Sequence, residues 1–167
     1  MEIYQAVGMN PHSEMFRRIL VAVDGSEPSK RALGYAIEMA EKWNAELLML
    51  TVVPRVMLPV FSDEGFGAAP LASAAGFGDY QERLRKLYED ALRGAEEEVR
   101  ANHPQLKLKT RLEEGRPSTT IVKVAEEEDV DLIVIGSRGI GGITGWILGS
   151  TSRKVVDLCK KPVLVVK

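Results

Sequence analysis

Short, almost exclusively apolar runs alternate along the chain with longer segments of helical periodicity. The runs lie at residues 19–23, 47–53, 132–135 and 163–166. Runs of this length are typical of strands that are buried on both faces, as in a parallel sheet. Between them apolar residues recur at every third or fourth position, for example over residues 32–43, which predicts helices that cover the sheet.

One further strand is predicted with a different pattern. Leucine and threonine alternate with lysine and arginine over residues 106–112, so one face of this strand is basic and half open to water, as at a sheet edge. The resulting order is β-α-β-α-β-α-β-α-β, which predicts an α/β three-layer sandwich with a parallel five-stranded sheet. Because crossover connections are right-handed, the favoured strand order is 3-2-1-4-5.

Two segments fall outside this rhythm. The stretch from Pro54 to Gly78 is rich in Gly, Pro, Ala and Phe, which predicts a flexible insertion loop before a long helix from Asp79 to about Asn102. Such a loop would begin at the carboxyl end of the second strand. It could fold over a ligand bound at that end of the sheet, or it could be a disordered insertion. Residues 1–15 are expected to be an N-terminal extension, and residues 16–167 a single domain.

Composition excludes several classes of function. With 22 basic and 24 acidic residues, the net charge of −2 is not that of a general nucleic-acid binder. One cysteine and two histidines argue against a disulfide framework and a zinc site, and they favour a reducing compartment. No apolar run is long enough to span a bilayer, and residues 1–14 lack the pattern of a signal peptide. We therefore expect a cytoplasmic protein without nucleic-acid or membrane partners.

The predicted strand order locates a ligand site. The direction of winding reverses between strands 1 and 4, and ligands bind at the carboxyl ends of the strands that flank such a point. Here those ends carry Asp24 and a loop from residue 136 to residue 149 that contains six glycines. The loop leads into a helix at Ser150, and a helix N-terminus is a ready site for an anion. A phosphate site is predicted; the alternative is a surface loop with Ser150 as an ordinary N-cap.

Specific residues now resemble a known family. Residues 19–26, Ile-Leu-Val-Ala-Val-Asp-Gly-Ser, resemble the opening of universal stress proteins. The pattern Gly136-x2-Gly139-x9-Gly149-Ser150 matches the ATP-binding signature of that family. The P-loop and dinucleotide-binding patterns are absent. The resemblance covers about residues 16–167 and implies a flavodoxin-like, Rossmann-like sandwich that forms dimers, in the branch of the family that binds ATP.

The resemblance also implies a set of binding residues. Those expected around the ribose and phosphates are Gly136, Arg138, Gly139, Gly149, Ser150 and Thr151. Those expected to enclose the adenosine at strand ends are Ala22, Asp24, Val52 and Ile135. Asp24 would bond the ribose or adenine, or help to place a Mg²⁺ or Mn²⁺ ion carried by ATP; the alternative is a turn residue that starts a helix. No protein residue is assigned as a metal ligand or as catalytic.

These expectations favour a regulator over an enzyme. Catalysis on ATP needs an oriented nucleophile and stabilised transition-state charge, and the sequence offers one plausible carboxylate and no clear base. We expect a dimeric regulator in the stress response whose conformation, or whose affinity for an unknown protein partner, changes when ATP binds, with ordering of the 54–78 loop as its change of state. The alternative is a slow ATPase, or a phosphoryl or adenylyl transferase.

The C-terminal strand predicts how the dimer forms. Val163 to Val166 is apolar and lies at the sheet edge in the predicted order. Pairing with the same strand of a second copy would cover this edge in an isologous homodimer. The alternative is that the N-terminal segment covers the strand within one chain.

Overall fold

The computed structural model describes residues 15–55, 71–139 and 148–167. Within these ranges five strands form one parallel sheet: β1 (Arg18–Ala22), β2 (Glu46–Pro54), β3 (Lys107–Gly115), β4 (Leu132–Gly136) and β5 (Val163–Val166). Their order across the sheet is β3-β2-β1-β4-β5. The predicted parallel sheet and its strand order 3-2-1-4-5 are therefore confirmed.

Four described helices cover the two faces of this sheet: α1 (Glu27–Trp43), α2 (Leu71–Asn102), α3 (Pro117–Glu127) and α4 (Ser150–Leu158). One core contains apolar residues of α1 and α2, and the other contains apolar residues of α3 and α4. In the described ranges, no helix combines the length and the apolar character that a membrane span requires.

The continuous apolar runs are explained by these two cores. Side chains alternate across a strand, so Ile19 and Val21 of β1 enter the first core while Leu20 enters the second. All three are fully buried. The edge strand β3 differs, as its alternating pattern predicts: Lys107 and Lys109 are exposed, the other residues are only partly buried, and the strand pairs with β2 alone among the described strands.

The predicted start of α2 is wrong. The helix begins at Leu71 instead of Asp79, so the last part of the predicted loop is helical. Alanine and leucine in residues 71–75 favour a helix, but Gly76 and Gly78 interrupt the apolar period there and conceal it. Residues 56–70, to which the loop-ordering hypothesis largely applies, lie outside the described residues, as do residues 1–14 of the predicted extension.

The end of α4 also differs from the prediction. The helix ends at Leu158, because Cys159 already has extended backbone with φ −81° and ψ 134°. Pro162 further disfavours helical backbone at Lys161. Val156 was expected to face inward but is 44% exposed. Ser152 and Val155, one turn apart, are buried, and Val156 lies about 100° further around the helix. Cys159 is half-buried against the second core.

Candidate functional site

A crevice opens where β1 and β4 lie side by side. Their register pairs Ala22 with Ile135, and beyond these residues the chain leaves β1 for α1 on one face and β4 for α4 on the other. The crevice widens into a cavity of about 350 Å³, within the range of small-molecule sites. All ten residues expected at the binding site line it: Ala22, Asp24, Val52, Ile135, Gly136, Arg138, Gly139, Gly149, Ser150 and Thr151. The structure thus brings these residues together; their contact with a ligand remains a prediction.

Two glycines hold the walls of the cavity close together. A Cβ atom at Gly136 would lie 2.7 Å from the carbonyl carbon of Pro28 and 2.8 Å from the nitrogen of Ser29. Only glycine therefore lets the end of β4 pack on the first turn of α1. A Cβ atom at Gly139 would lie 2.5 Å from Oδ2 of Asp24. The glycines of this signature thus have a packing role that does not depend on a ligand.

Asp24 has the turn role considered for it from the sequence, while its role toward a ligand remains a prediction. Its Oδ1 accepts a hydrogen bond from the backbone N–H of Ser26 at 3.0 Å, which shapes the turn into α1. Ser26 in turn caps α1, because its Oγ accepts a hydrogen bond from the N–H of Ser29 at 3.3 Å. The Oδ2 atom lies against Gly139 at the edge of the cavity. One carboxylate oxygen is therefore structural, and the other faces the glycine loop.

The N-terminus of α4 is built differently from that of α1. Its N-cap is Gly149, not Ser150, so no capping side chain covers the first turn. The N–H of Gly149 donates to the carbonyl of Ser137 at 2.8 Å and is not available to a ligand. In a helix the next N–H groups have no intrahelical acceptor. Those of Ser150 and Thr151, together with their hydroxyl groups, can therefore bind an anion in the cavity.

Apolar residues form another part of the cavity wall, and sequence reasoning missed several of them. Strands contribute Leu50 and Pro54 in addition to the expected residues, α3 contributes Pro117 and Ile121, and α2 contributes Tyr88. No local motif marks these positions, since each fits the ordinary apolar pattern of its own element. Such a wall suits a flat, weakly polar group such as a nucleobase.

Titratable groups are few at this site. Burial raises the pKa of the Tyr88 phenol, and the negative charge of Asp24 raises it further, so this side chain stays protonated at neutral pH. Asp24 is the one acidic side chain among the described residues that line the cavity. In the described part of the chain, no cluster of three or more His, Cys, Asp or Glu could hold a metal. A Mg²⁺ or Mn²⁺ ion here would take most of its ligands from phosphate and water, which Mg²⁺ accepts readily.

With the sheet order and the site defined, comparison with known proteins identifies the class. A sequence model of the universal stress protein family matches residues 15–167. The chain is 35% identical over 153 residues to the universal stress protein YxiE of Bacillus subtilis, a match that covers 92% of this chain and 100% of the relative. The chain therefore belongs to the universal stress protein family.

Solved structures agree with the flavodoxin-like α/β fold expected from that family. The universal stress protein UspA from Lactobacillus plantarum superposes with a TM-score of 0.73 at 28% identity, over 90% of this chain and 97% of that one. A universal stress protein in complex with cAMP superposes with a TM-score of 0.58 at 26% identity, over 90% of this chain and 96% of that one.

Proposed function

We propose that this protein is an ATP-binding regulator whose cavity holds the nucleotide. The observation that carries the proposal is one cavity that joins an uncapped helix N-terminus to an apolar wall. That pairing matches the two ends of a nucleotide, an anionic phosphate chain and a flat base. A related universal stress protein in complex with cAMP supports an adenine nucleotide as the ligand class.

The arrangement of charge orients the proposed ligand. The phosphates bind at Ser150 and Thr151, where the N–H groups and the positive end of the α4 dipole favour anions. The Asp24 carboxylate repels phosphate and accepts hydrogen bonds from ribose hydroxyls. In the proposed orientation the nucleoside therefore lies next to Asp24, and the phosphates lie away from it. A Mg²⁺ or Mn²⁺ ion would neutralise part of the phosphate charge, and Asp24 is the acidic side chain among the described residues that line the cavity.

Regulation is proposed in preference to turnover. Hydrolysis needs a group that orients the attacking water and further charge at the transferred phosphate. The described lining includes Asp24 and Arg138 but no histidine. A regulator requires only that ATP bind one conformation more tightly than another. The competing proposal, a slow ATPase or a phosphoryl or adenylyl transferase, depends on Asp24 and would show ATP consumption that is lost in Asp24→Asn. The ATPase would release phosphate and ADP, a phosphoryl transferase would leave ADP, and an adenylyl transferase would release pyrophosphate.

Calorimetric titration tests the proposal. Protein freed of carried-over nucleotide is titrated with ATP and Mg²⁺, and we expect a Kd in the micromolar range, about −8 kcal/mol.

Gly139→Ala should weaken binding about tenfold or more, because its methyl group displaces the Asp24 carboxylate. Released phosphate is assayed in the same samples over several hours. Absence of both heat and thermal shift in the wild type would overturn ATP binding, while steady phosphate release would favour the enzyme.

We also propose that two copies pair through β5. This strand is at the sheet edge, and its first three side chains are only partly buried. The carbonyls of Pro162 and Val166 accept bonds from the N–H groups of Ile133 and Ser137. Alternate residues of a strand direct their peptide groups to the same side. Since Pro162 and Val166 face β4, the peptide groups of Val163 and Val165 face away from β4. No described strand pairs with this outward edge, and in the proposed dimer it pairs with the same strand of a second copy.

Sedimentation of the wild type and Val163→Pro tests this dimer. Proline is tolerated at the first residue of a strand and removes an N–H that faces away from β4. We expect the wild type to be a dimer at tens of micromolar and the variant to be a monomer with unchanged circular dichroism. A monomeric wild type, or a folded variant that stays dimeric, would contradict pairing through β5.

A further inference from the structure

One face of helix α2 forms side-chain hydrogen bonds with residues at the ends of two strands. Gln81 donates from Nε2 to the carbonyl of Pro54 at 3.2 Å, at the last residue of β2. Arg85 donates from Nη1 to Oε1 of Glu114 at 2.7 Å, near the end of β3. Tyr88 follows at the next turn, and positions separated by four and then three residues share one face of a helix. The contacts of Gln81 and Arg85 therefore fix where Tyr88 stands.

Tyr88 is the aromatic side chain in the described cavity wall. It is half-buried and lines the cavity together with Val52 and Pro54 of β2 and with Ile121 of α3. Asp24 lines the same cavity, and its negative charge adds to the effect of burial in raising the pKa of the Tyr88 phenol. The phenol is neutral at physiological pH, so the ring presents no charge of its own to a ligand.

We propose that Tyr88 is a specificity-determining residue that contacts the base of the bound nucleotide. The inference rests on the proposed ATP site and adds the residue that selects the base. A ring that packs on a nucleobase stabilises the bound base by stacking, and a two-ring purine offers it more area than a one-ring pyrimidine. Tyr88 thus makes the cavity prefer ATP to CTP, while it leaves the affinity for the phosphate chain unchanged.

Three substitutions and three ligands test this role. Tyr88→Leu should weaken ATP binding by about 5- to 50-fold, should weaken CTP binding less, and should leave inorganic tripolyphosphate unchanged. Tyr88→Phe keeps the ring and should stay within threefold of the wild type for every ligand. Tyr35→Leu is the matched control, because Tyr35 is 53% exposed on α1 and is not among the residues that line the cavity. The Kd values are measured by calorimetry or by competition.

The outcomes separate this inference from the proposed function. A wild type that binds no ATP overturns the ATP site itself. A wild type that binds ATP, with Tyr88→Leu unchanged, overturns only the role of Tyr88. An equal loss for ATP and tripolyphosphate also overturns it, since Tyr88 would then act on the phosphate end. Should Tyr88→Leu not fold, wild-type protein with labelled tyrosine must show an NMR contact between the Tyr88 ring, assigned with Tyr88→Phe, and the adenine protons. Absence of that contact contradicts the inference.

Discussion

Replacement of Gly136 by alanine should destabilise the protein by about 3 kcal/mol, at the upper end of the range for overpacking. The added methyl group would lie 2.7 Å from the carbonyl carbon of Pro28 and 2.8 Å from the nitrogen of Ser29. Both contacts are with backbone, so no side chain can rotate away, and β4 must separate from the start of α1. Urea unfolding followed by circular dichroism measures the change in the free energy of unfolding.

The same chemical change elsewhere supplies the control. Gly34 lies in α1, and a Cβ atom there would meet nothing within 4 Å. Alanine has the higher helix propensity, so Gly34→Ala should stabilise the protein by about 0.5–1 kcal/mol. Opposite signs for the two substitutions would establish that Gly136 is required for packing. If Gly136→Ala were as stable as the wild type, the close approach of β4 to α1 would be refuted.

Replacement of Ser150 by aspartate should abolish most ATP binding while the folded state gains stability. Ser150 is the first residue of α4, where a negative charge stabilises the helix dipole by about 0.3–1 kcal/mol. The same carboxylate would stand where the phosphates are proposed to bind. Two like charges about 4 Å apart repel by about 4 kcal/mol near a protein surface, so we expect affinity to fall by 100-fold or more. Calorimetry with ATP and thermal unfolding of the ligand-free protein measure the two effects.

Ser150→Asn separates charge from shape. Asparagine has nearly the size of aspartate without its charge, so it should reduce ATP affinity much less than Ser150→Asp does. Equal losses for the two variants would mean that crowding, not charge, accounts for the effect. Unchanged ATP affinity in Ser150→Asp would show that the phosphates bind elsewhere and would remove the N-terminus of α4 from the site.

The apolar pattern was enough to predict the strands and their order. Because β1, β2 and β4 are buried on both faces, each is a nearly continuous apolar run. A helix with one solvent-facing side would instead have polar residues within such a run. The alternating basic face of β3 placed that strand at an edge, and the handedness of crossovers then gave the order. The same reasoning failed at the start of α2, where helical residues before Asp79 carry glycines that break the period.

The candidate site, too, was predictable from the sequence only in part. Its location was predictable because the strand order brings the ends of β1 and β4 together, while the individual binding residues were implied by the resemblance to the family. The reason for each glycine was not predictable, since the contact of Gly136 with Pro28 joins positions far apart in the chain. Tyr88 gave no signal at all, because it belongs to the same apolar stripe as the rest of α2.

For this protein the sequence by itself determined the elements, the order of the sheet and the end of the sheet at which a ligand would bind. These depend on local periodicity and on general rules of chain connection, which a sequence carries directly. Only the tertiary structure decided which side chains complete the apolar wall, because a crossover helix can reach the strand ends with several different faces. The contacts of Gln81 with Pro54 and of Arg85 with Glu114 select one face, and that choice places Tyr88 in the cavity.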